Sequence, residues 1–453
     1  MINHRSPRVL AFSALMAVTL VLTSAPVVSQ AQTAAATAAA TQTAYPPTLA
    51  PDQKVSINFY SYNLSSAGIG ADGTNQLISE FEALHPNITV QGVPVAVTAL
   101  MTRNQADVAA GNPPDVSQLG FPSLDFVAHN FPVHPLEDIV SPAELAQYWT
   151  GFSPNGKALG ELEGKTYAVP YTFSTPILFY NADIFKAAGL DPEKPPTTWA
   201  EVKTDALQIN QKTGNGGVFI AGFGPSQGDW MFQGLVASNG GGVLSADRKT
   251  LTFADASAVG VVSMWQDLVK SGAHPNLDAT EGYTAFSAGK IGMMLQTSAV
   301  QGAMLAASQG KWTLRAAKMP AFGTLPTKPS NSGSALFIMA ATPEKQRAAW
   351  EFVKFVTSER GYTIITSKIG YLPLRPAIVD DPQYLQGWVK DHPLVQPNLE
   401  QLKNLRGTVP FPGANYQQII NTMMQAVQAA VFSTGDPQTI MSQAQTQAQS
   451  LMP

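Results

Sequence analysis

Gly224-Pro225-Ser226-Gln227-Gly228 fits G-x-S-x-G, the frame that presents a nucleophilic serine after a strand, and residues 218–223 before it are apolar. A serine hydrolase also needs an acid and a histidine held beside that serine. The downstream histidines, His274 and His392, each sit in a His-Pro pair at a turn, and Pro225 fixes φ where the elbow must fold. An exported hydrolase using Ser226 is therefore the minor reading. Gly68-Ile69-Gly70-Ala71-Asp72-Gly73 fits G-x-G-x-x-G, but residues 91–97 hold no acid to take a ribose. Gly160-Glu161-Leu162-Glu163-Gly164-Lys165-Thr166 is one residue short of a phosphate loop and aims two carboxylates where phosphates would sit. His129 and His134, with Glu137 and Asp138 behind them, match no standard zinc spacing. No catalytic residue, metal or cofactor is expected.

Other residues suit non-covalent capture. Phe121 and Asp125 follow a strand's carboxyl end, where α/β sheets place ligands. Asp125 has the geometry to take two sugar hydroxyls, or simply to start a helix. Tyr60, Tyr62 and Asn63 close the first strand at the same rim. Trp230 opens a helix after Gly228-Asp229, and an indole face suits the C–H face of a sugar as well as it suits a core.

These residues need an α/β frame. Residues 55–60 (VSINFY) are strand-like, residues 75–84 carry Leu77, Ile78, Phe81 and Leu84 at helical spacing, and residues 88–93 and 115–119 are further strands. Strand-like residues 167–170 and 176–181 precede helices at 182–188 and 199–211. Thr342-Pro343-Glu344 starts a helix with the stripe Ala348, Ala349, Phe352, Val353 and Val356. The alternation predicts parallel sheets flanked by helices.

Composition narrows the partners. The 453 residues contain no cysteine, which excludes disulfides, thiolate chemistry and a lipid-anchored cysteine. Charged residues are 13%, against about 25% in an average protein. A net charge of −4 gives no footprint for nucleic acid. Arg5 and Arg8, an apolar run at 9–22 and Ser29-Gln30-Ala31 form a cleavable secretory signal, residues 1–31. Residues 32–53, rich in Ala, Thr, Gln and Pro, read as a flexible leader. The mature protein is expected in the periplasm.

The stretch YAVPYTFSTPILFYNADIFKAAGLDPEKPPTTWAEV, from Tyr167 onward, resembles the extracellular solute-binding proteins of bacterial ABC importers, in the family that takes sugars and glycerol phosphates. INFYSYN, TPEKQRAAWEFVKFVTSERG and IGYLPLRPA resemble it too, in the right order along the chain. The resemblance implies a two-lobed, Venus-flytrap α/β fold, each lobe a mostly parallel sheet flanked by helices and discontinuous in sequence. Residues 54–168 and 313–342 would form the N-terminal lobe, and 169–312 and 343–453 the C-terminal lobe. It implies a monomer that closes on a small molecule and docks on the transmembrane subunits of an ABC permease. A sensor-coupled binding protein would share all these features.

Carried over position by position, the family's pocket falls on Ser174, on Thr297 or Ser298, on Gly333 and on Tyr371. Its first tyrosine falls near Val97 and its glutamate near Phe121, which do not match. Its phosphate-binding arginine falls at 418–422, where no basic residue stands. Buried phosphate without an arginine is poorly compensated. A neutral sugar or oligosaccharide is expected over glycerol 3-phosphate or its diesters; a phosphate would need Arg375 or Arg406 to reach the cleft.

Overall fold

The computed structural model describes residues 45–66, 69–223 and 228–453. The signal, most of the leader, Gly68 and Ser226 lie outside them. Ala44–Pro453 form one compact unit.

Eleven strands are present among the described residues: β1 (Val55–Ser61), β2 (Ile88–Pro94), β3 (Val116–Gly120), β4 (Glu161–Leu162), β5 (Lys165–Thr166), β6 (Val169–Ser174), β7 (Pro176–Asn181), β8 (Gly216–Ile220), β9 (Ile291–Thr297), β10 (Leu314–Ala317) and β11 (Ser332–Ile338). The first sheet has the order β2-β1-β3-β11-β6 and the second β10-β7-β9-β8. β1 runs parallel to β2 and β3, and β8 parallel to β9. β11 runs against both β3 and β6, and β7 runs against β9 and β10. Each of these sheets is thus mostly parallel, as expected, with one reversed strand apiece, β11 in the first and β7 in the second. The antiparallel members include the strands that bring the chain across from the other sheet, and periodicity carries no direction. β4 and β5 form a hairpin whose tip, Glu163 (φ 52°) and Gly164 (φ 81°), has the paired left-handed residues of a tight turn. The phosphate-loop look-alike is that hairpin.

Side-chain alternation gives each sheet its cores. In β7, Leu178 and Tyr180 enter one buried cluster and Ile177 and Phe179 the cluster on the opposite face. In the first sheet, Phe59 meets Phe352 with ring centroids 5.1 Å apart, and Phe352 meets Phe81 at 5.2 Å. Phe352 lies on the helix Pro343–Val356, whose start is capped by Thr342 Oγ1 accepting from the Lys345 amide.

Strand and core membership depart from the expected lobe boundaries. β6 belongs to the first sheet and β10 to the second. The helix Pro343–Val356 and its successors as far as Leu405 pack in the core of the first sheet, while Phe411, Tyr416 and the helix Tyr416–Val431 pack in that of the second. An apolar stripe announces a buried face without saying which sheet covers it. The chain crosses between sheets at Thr175, between β10 and β11, and between Leu405 and Phe411.

Candidate functional site

A cavity of about 640 Å³ lies where strand ends of the first sheet meet the start of helices on the second. β1 and β3 deliver Tyr62 and Phe121 just past their carboxyl ends; β11 delivers Gly333; the last crossing delivers Tyr416. Trp230 opens the helix Trp230–Ser238, and Tyr371 follows Gly370, whose φ of 94° turns the chain after a π-helical turn over Ile365–Ile369.

Beneath Tyr62 a buried polar network fixes the floor. Its hydroxyl bonds to Thr172 Oγ1 at 2.9 Å and donates to Ser334 Oγ at 3.2 Å. Gln118 donates to Ser334 at 2.9 Å and accepts from Ser61 at 2.5 Å. Each hydroxyl and amide has a partner on a neighbouring strand, so the ring of Tyr62 is held by the sheet itself. At Gly333, φ is 113° and an added Cβ would stand 2.0 Å from the Thr172 carbonyl oxygen, so only glycine lets β11 pass this close to β6.

Five of the expected contacts, Tyr62, Phe121, Trp230, Gly333 and Tyr371, thus line one cavity. Ser174, Thr297 and Ser298 stand apart from it, at the first crossing. Thr297 Oγ1 donates to Ser174 Oγ at 2.8 Å, and Ser298 Oγ accepts from the Thr175 amide at 3.3 Å. Ser298 lines a smaller hollow of about 280 Å³ on the other side of Tyr371. Asn63 is buried, its amide nitrogen donates to no described partner, and it is not in the cavity wall.

Asp125 requires a correction. Its Oδ2 accepts from Arg248 Nη2 at 2.5 Å and its Oδ1 from the Gly413 amide at 3.1 Å, so both oxygens are spent inside the protein. The partners lie far along the chain, and no local pattern announces them. Neither arginine expected to serve a phosphate lines the cavity. Arg375 donates to the carbonyls of Tyr148, Thr150 and Thr357 and pairs with Glu359. Arg406 lines a separate crevice of about 20 Å³.

Sequence reasoning passed over Asp229, Asn331, Tyr416 and Gln417, all in the cavity wall. Asp229 is the informative one. It is 1% exposed; Oδ2 accepts from Gln233 Nε2 at 2.6 Å, and Oδ1 has no hydrogen-bond partner among the described residues. Burial pushes its carboxyl up to about 6, the Gln233 hydrogen bond only partly offsetting this. Gly228-Asp229 before a helix looked like an ordinary helix start, but Asp229 makes no side-chain cap. No Lys, Arg or His lines the cavity among the described residues, and the undescribed Ala67, Gly68, Gly224, Pro225, Ser226 and Gln227 carry no cation either.

The histidines once weighed as bases are occupied. His274 accepts from the Ile220 amide at 3.0 Å through Nε2, its Nδ1 lies 2.8 Å from the Pro275 carbonyl, and burial drives its pKa down to about 4. His392 stacks on Trp388 with ring centroids 4.2 Å apart. No group of three or more His, Asp or Glu suited to a metal exists among the described residues.

Residues 76–397 match the family model for a bacterial extracellular solute-binding protein. The chain is 25% identical over 357 residues to the sn-glycerol-3-phosphate-binding periplasmic protein of Pectobacterium atrosepticum, covering 74% of this chain and 77% of that one. It superposes on the cyclic alpha-maltosyl-1,6-maltose binding protein of Arthrobacter globiformis with a TM-score of 0.77 at 21% identity, over 88% of this chain and 99% of that one. UgpB of Mycobacterium tuberculosis, solved with glycerophosphocholine, gives a TM-score of 0.74 at 21% identity, over 88% and 98%. These likenesses make the fold the two-lobed one of periplasmic binding proteins.

Proposed function

The chain belongs to the bacterial extracellular solute-binding proteins, and on that footing we propose that it captures a neutral mono- or oligosaccharide between its lobes and delivers it to the permease of an ABC importer. The N-terminal signal would export it to the periplasm, without a cysteine anchor. The lobes we propose are 54–174 with 332–405, and 176–317 with 411–453, following sheet and core membership.

One observation carries the ligand class. The cavity presents the rings of Tyr62, Phe121, Trp230, Tyr371 and Tyr416, the amides of Asn331 and Gln417, and the single carboxylate of Asp229, with no cation among its described lining residues. Aromatic faces take the C–H surfaces of a sugar, and amides and a carboxylate take its hydroxyls. A phosphate would face a carboxylate with nothing to neutralise it.

A glycerophosphodiester with a quaternary ammonium head is the second reading. The same rings and carboxylate suit a cation, and the mycobacterial structure similar to this one holds glycerophosphocholine. A thermal-shift screen of the secreted protein against saccharides, glycerol 3-phosphate and glycerophosphocholine separates them. A ligand at 100 times its Kd stabilises the folded form by about 2.7 kcal/mol. A shift with neutral saccharides alone supports the proposal; a shift with the phosphates alone overturns it. The remaining hydrolase reading predicts that a fluorophosphonate labels Ser226, and the proposal expects no label.

A further inference from the structure

The interlobe cavity does not end at Gln417. A second hollow, of about 500 Å³, shares Gln417 and Gly228 with it and runs over the second lobe. A third, of about 520 Å³, shares Gln428 and Phe432 with the second. All three border the helix Tyr416–Val431. Its buried face, Ile419, Met423, Val427 and Ala430, anchors it in the core of the second lobe. Its other face carries Gln417, Asn421, Gln425 and Gln428, all exposed, at the spacings that put residues on one side of a helix. From Gln417 to Gln428 the row extends roughly 17 Å at 1.5 Å per residue.

Two aromatic rings stand at the end of this row, Phe432 capping the same helix four residues after Gln428 and Phe223 6.0 Å from it between ring centroids. Phe223 and Phe432 line the second hollow, with Phe223 stacked on Trp265 at 4.6 Å between centroids, so its ring is held flat against the core. No Lys or Arg lines this hollow among the described residues; His274 and Asp278 do, and burial keeps the histidine uncharged at neutral pH. The chemistry of the cavity, amides beside aromatic rings without a cation, therefore continues outside it along one helix. A compact solute would fill the interlobe cavity and leave this row unused. A chain of sugar units would occupy both.

We propose that the amide row of Gln417, Asn421, Gln425 and Gln428, with Phe223 and Phe432 beside it in the same hollow, is an extension subsite that takes the further units of a neutral oligosaccharide whose first units lie in the interlobe cavity. It rests on the saccharide reading above and narrows it from sugars in general to oligosaccharides. Hydroxyls both donate and accept, and so does each side-chain amide, so successive rings along the row find partners whatever their rotation.

The test is calorimetric binding of two neutral series, maltose to maltohexaose and cellobiose to cellohexaose, to the wild-type protein and to Asn421→Ala/Gln425→Ala. Both substitutions are on the solvent face, and unchanged melting temperature confirms the fold. Wild type is expected to bind the hexasaccharide of one series at least ten times more tightly than its disaccharide. The double variant should keep disaccharide affinity and lose most of that gain. Equal affinity for short and long chains in wild type, or a gain unaltered in the variant, overturns the subsite while leaving the cavity reading intact. If neither series nor any saccharide of the thermal-shift screen binds, the saccharide reading falls and the subsite falls with it.

Discussion

The carboxylate of Asp125, on a helix packed in the core of the first sheet, accepts a 2.5 Å hydrogen bond from Arg248, which lies 123 residues later between residues packed in the core of the second. Asp125 is almost fully buried and Arg248 partly exposed. The same helix, Leu124–Asn130, also sets Phe126 against Tyr416 with ring centroids 5.7 Å apart. The pair exists only while the lobes stand at this separation, so it should favour the arrangement that encloses the cavity. Arg248→Met leaves a buried carboxylate with the Gly413 amide as its remaining close donor, a loss of about 1–3 kcal/mol. Ligand affinity should drop about tenfold or more, and a double-mutant cycle with Asp125→Asn should show a coupling near 1 kcal/mol or above. Additive single effects would show that the two side chains do not act together.

Asp229 links ligand capture to pH. A sugar hydroxyl donating to its carboxylate favours the ionised form, so binding should tighten several-fold as pH rises from 5 to 7 and then level off. In the empty protein the sign is reversed. A carboxyl whose folded pKa is raised from 3.8 to about 6 contributes stability below the unfolded value, and that contribution, roughly 3 kcal/mol, is lost as pH rises through 6. Asp229→Asn should flatten the binding profile and raise the melting temperature of the empty protein more at pH 7 than at pH 4. A variant with wild-type pH dependence in both would place the titration elsewhere.

Trp230→Phe keeps an aromatic ring in the cavity wall while removing the larger face. Its stability cost should stay modest, because Trp230 is packed on the second lobe but retains 6% exposure toward the cavity. Affinity for a neutral saccharide should fall about three- to tenfold, near 1 kcal/mol. If melting temperature drops and affinity does not, Trp230 serves the core alone.

Gly333→Ala should damage the protein far beyond the loss of a hydrogen. The new methyl group would meet the Thr172 carbonyl oxygen at 2.0 Å with φ at 113°. Backbone strain of this kind costs on the order of 1–3 kcal/mol before the clash is counted. Urea unfolding should show a clearly lower midpoint; an unchanged midpoint would mean that β11 and β6 are not this close in solution.

Much of this was readable from residue types and spacing. The opening strands, the helix after Thr342, and the rim positions Tyr62, Phe121 and Trp230 follow from local pattern, because each sits at the end of an element that its own neighbours specify. Gly333 and Tyr371 came from resemblance. For Asp125 local pattern leaves a ligand contact and a helix-start charge both open, because what decides between them is the distant Arg248, and Tyr416 goes unseen because it reaches the cavity from the start of a helix packed on the other sheet. Placement of the helix Pro343–Val356 failed for the same reason: its stripe fits either sheet, and the choice is made by Phe59 and Phe81. Local pattern specifies faces, while distant partners select among them.

The position of β11 sets how this chain can fold. Residue Ile338 pairs with Val116, and β11 lies between β3 and β6 in the finished sheet. Until residues 332–338 have been made, β3 and β6 each lack a neighbour, and the first sheet is two incomplete pieces. Pairing across so long a loop is slow, and the open strand edges invite association with other chains in the interval. Folding of this lobe must therefore wait for nearly the whole polypeptide, a delay that suits a chain threaded across a membrane before it takes shape.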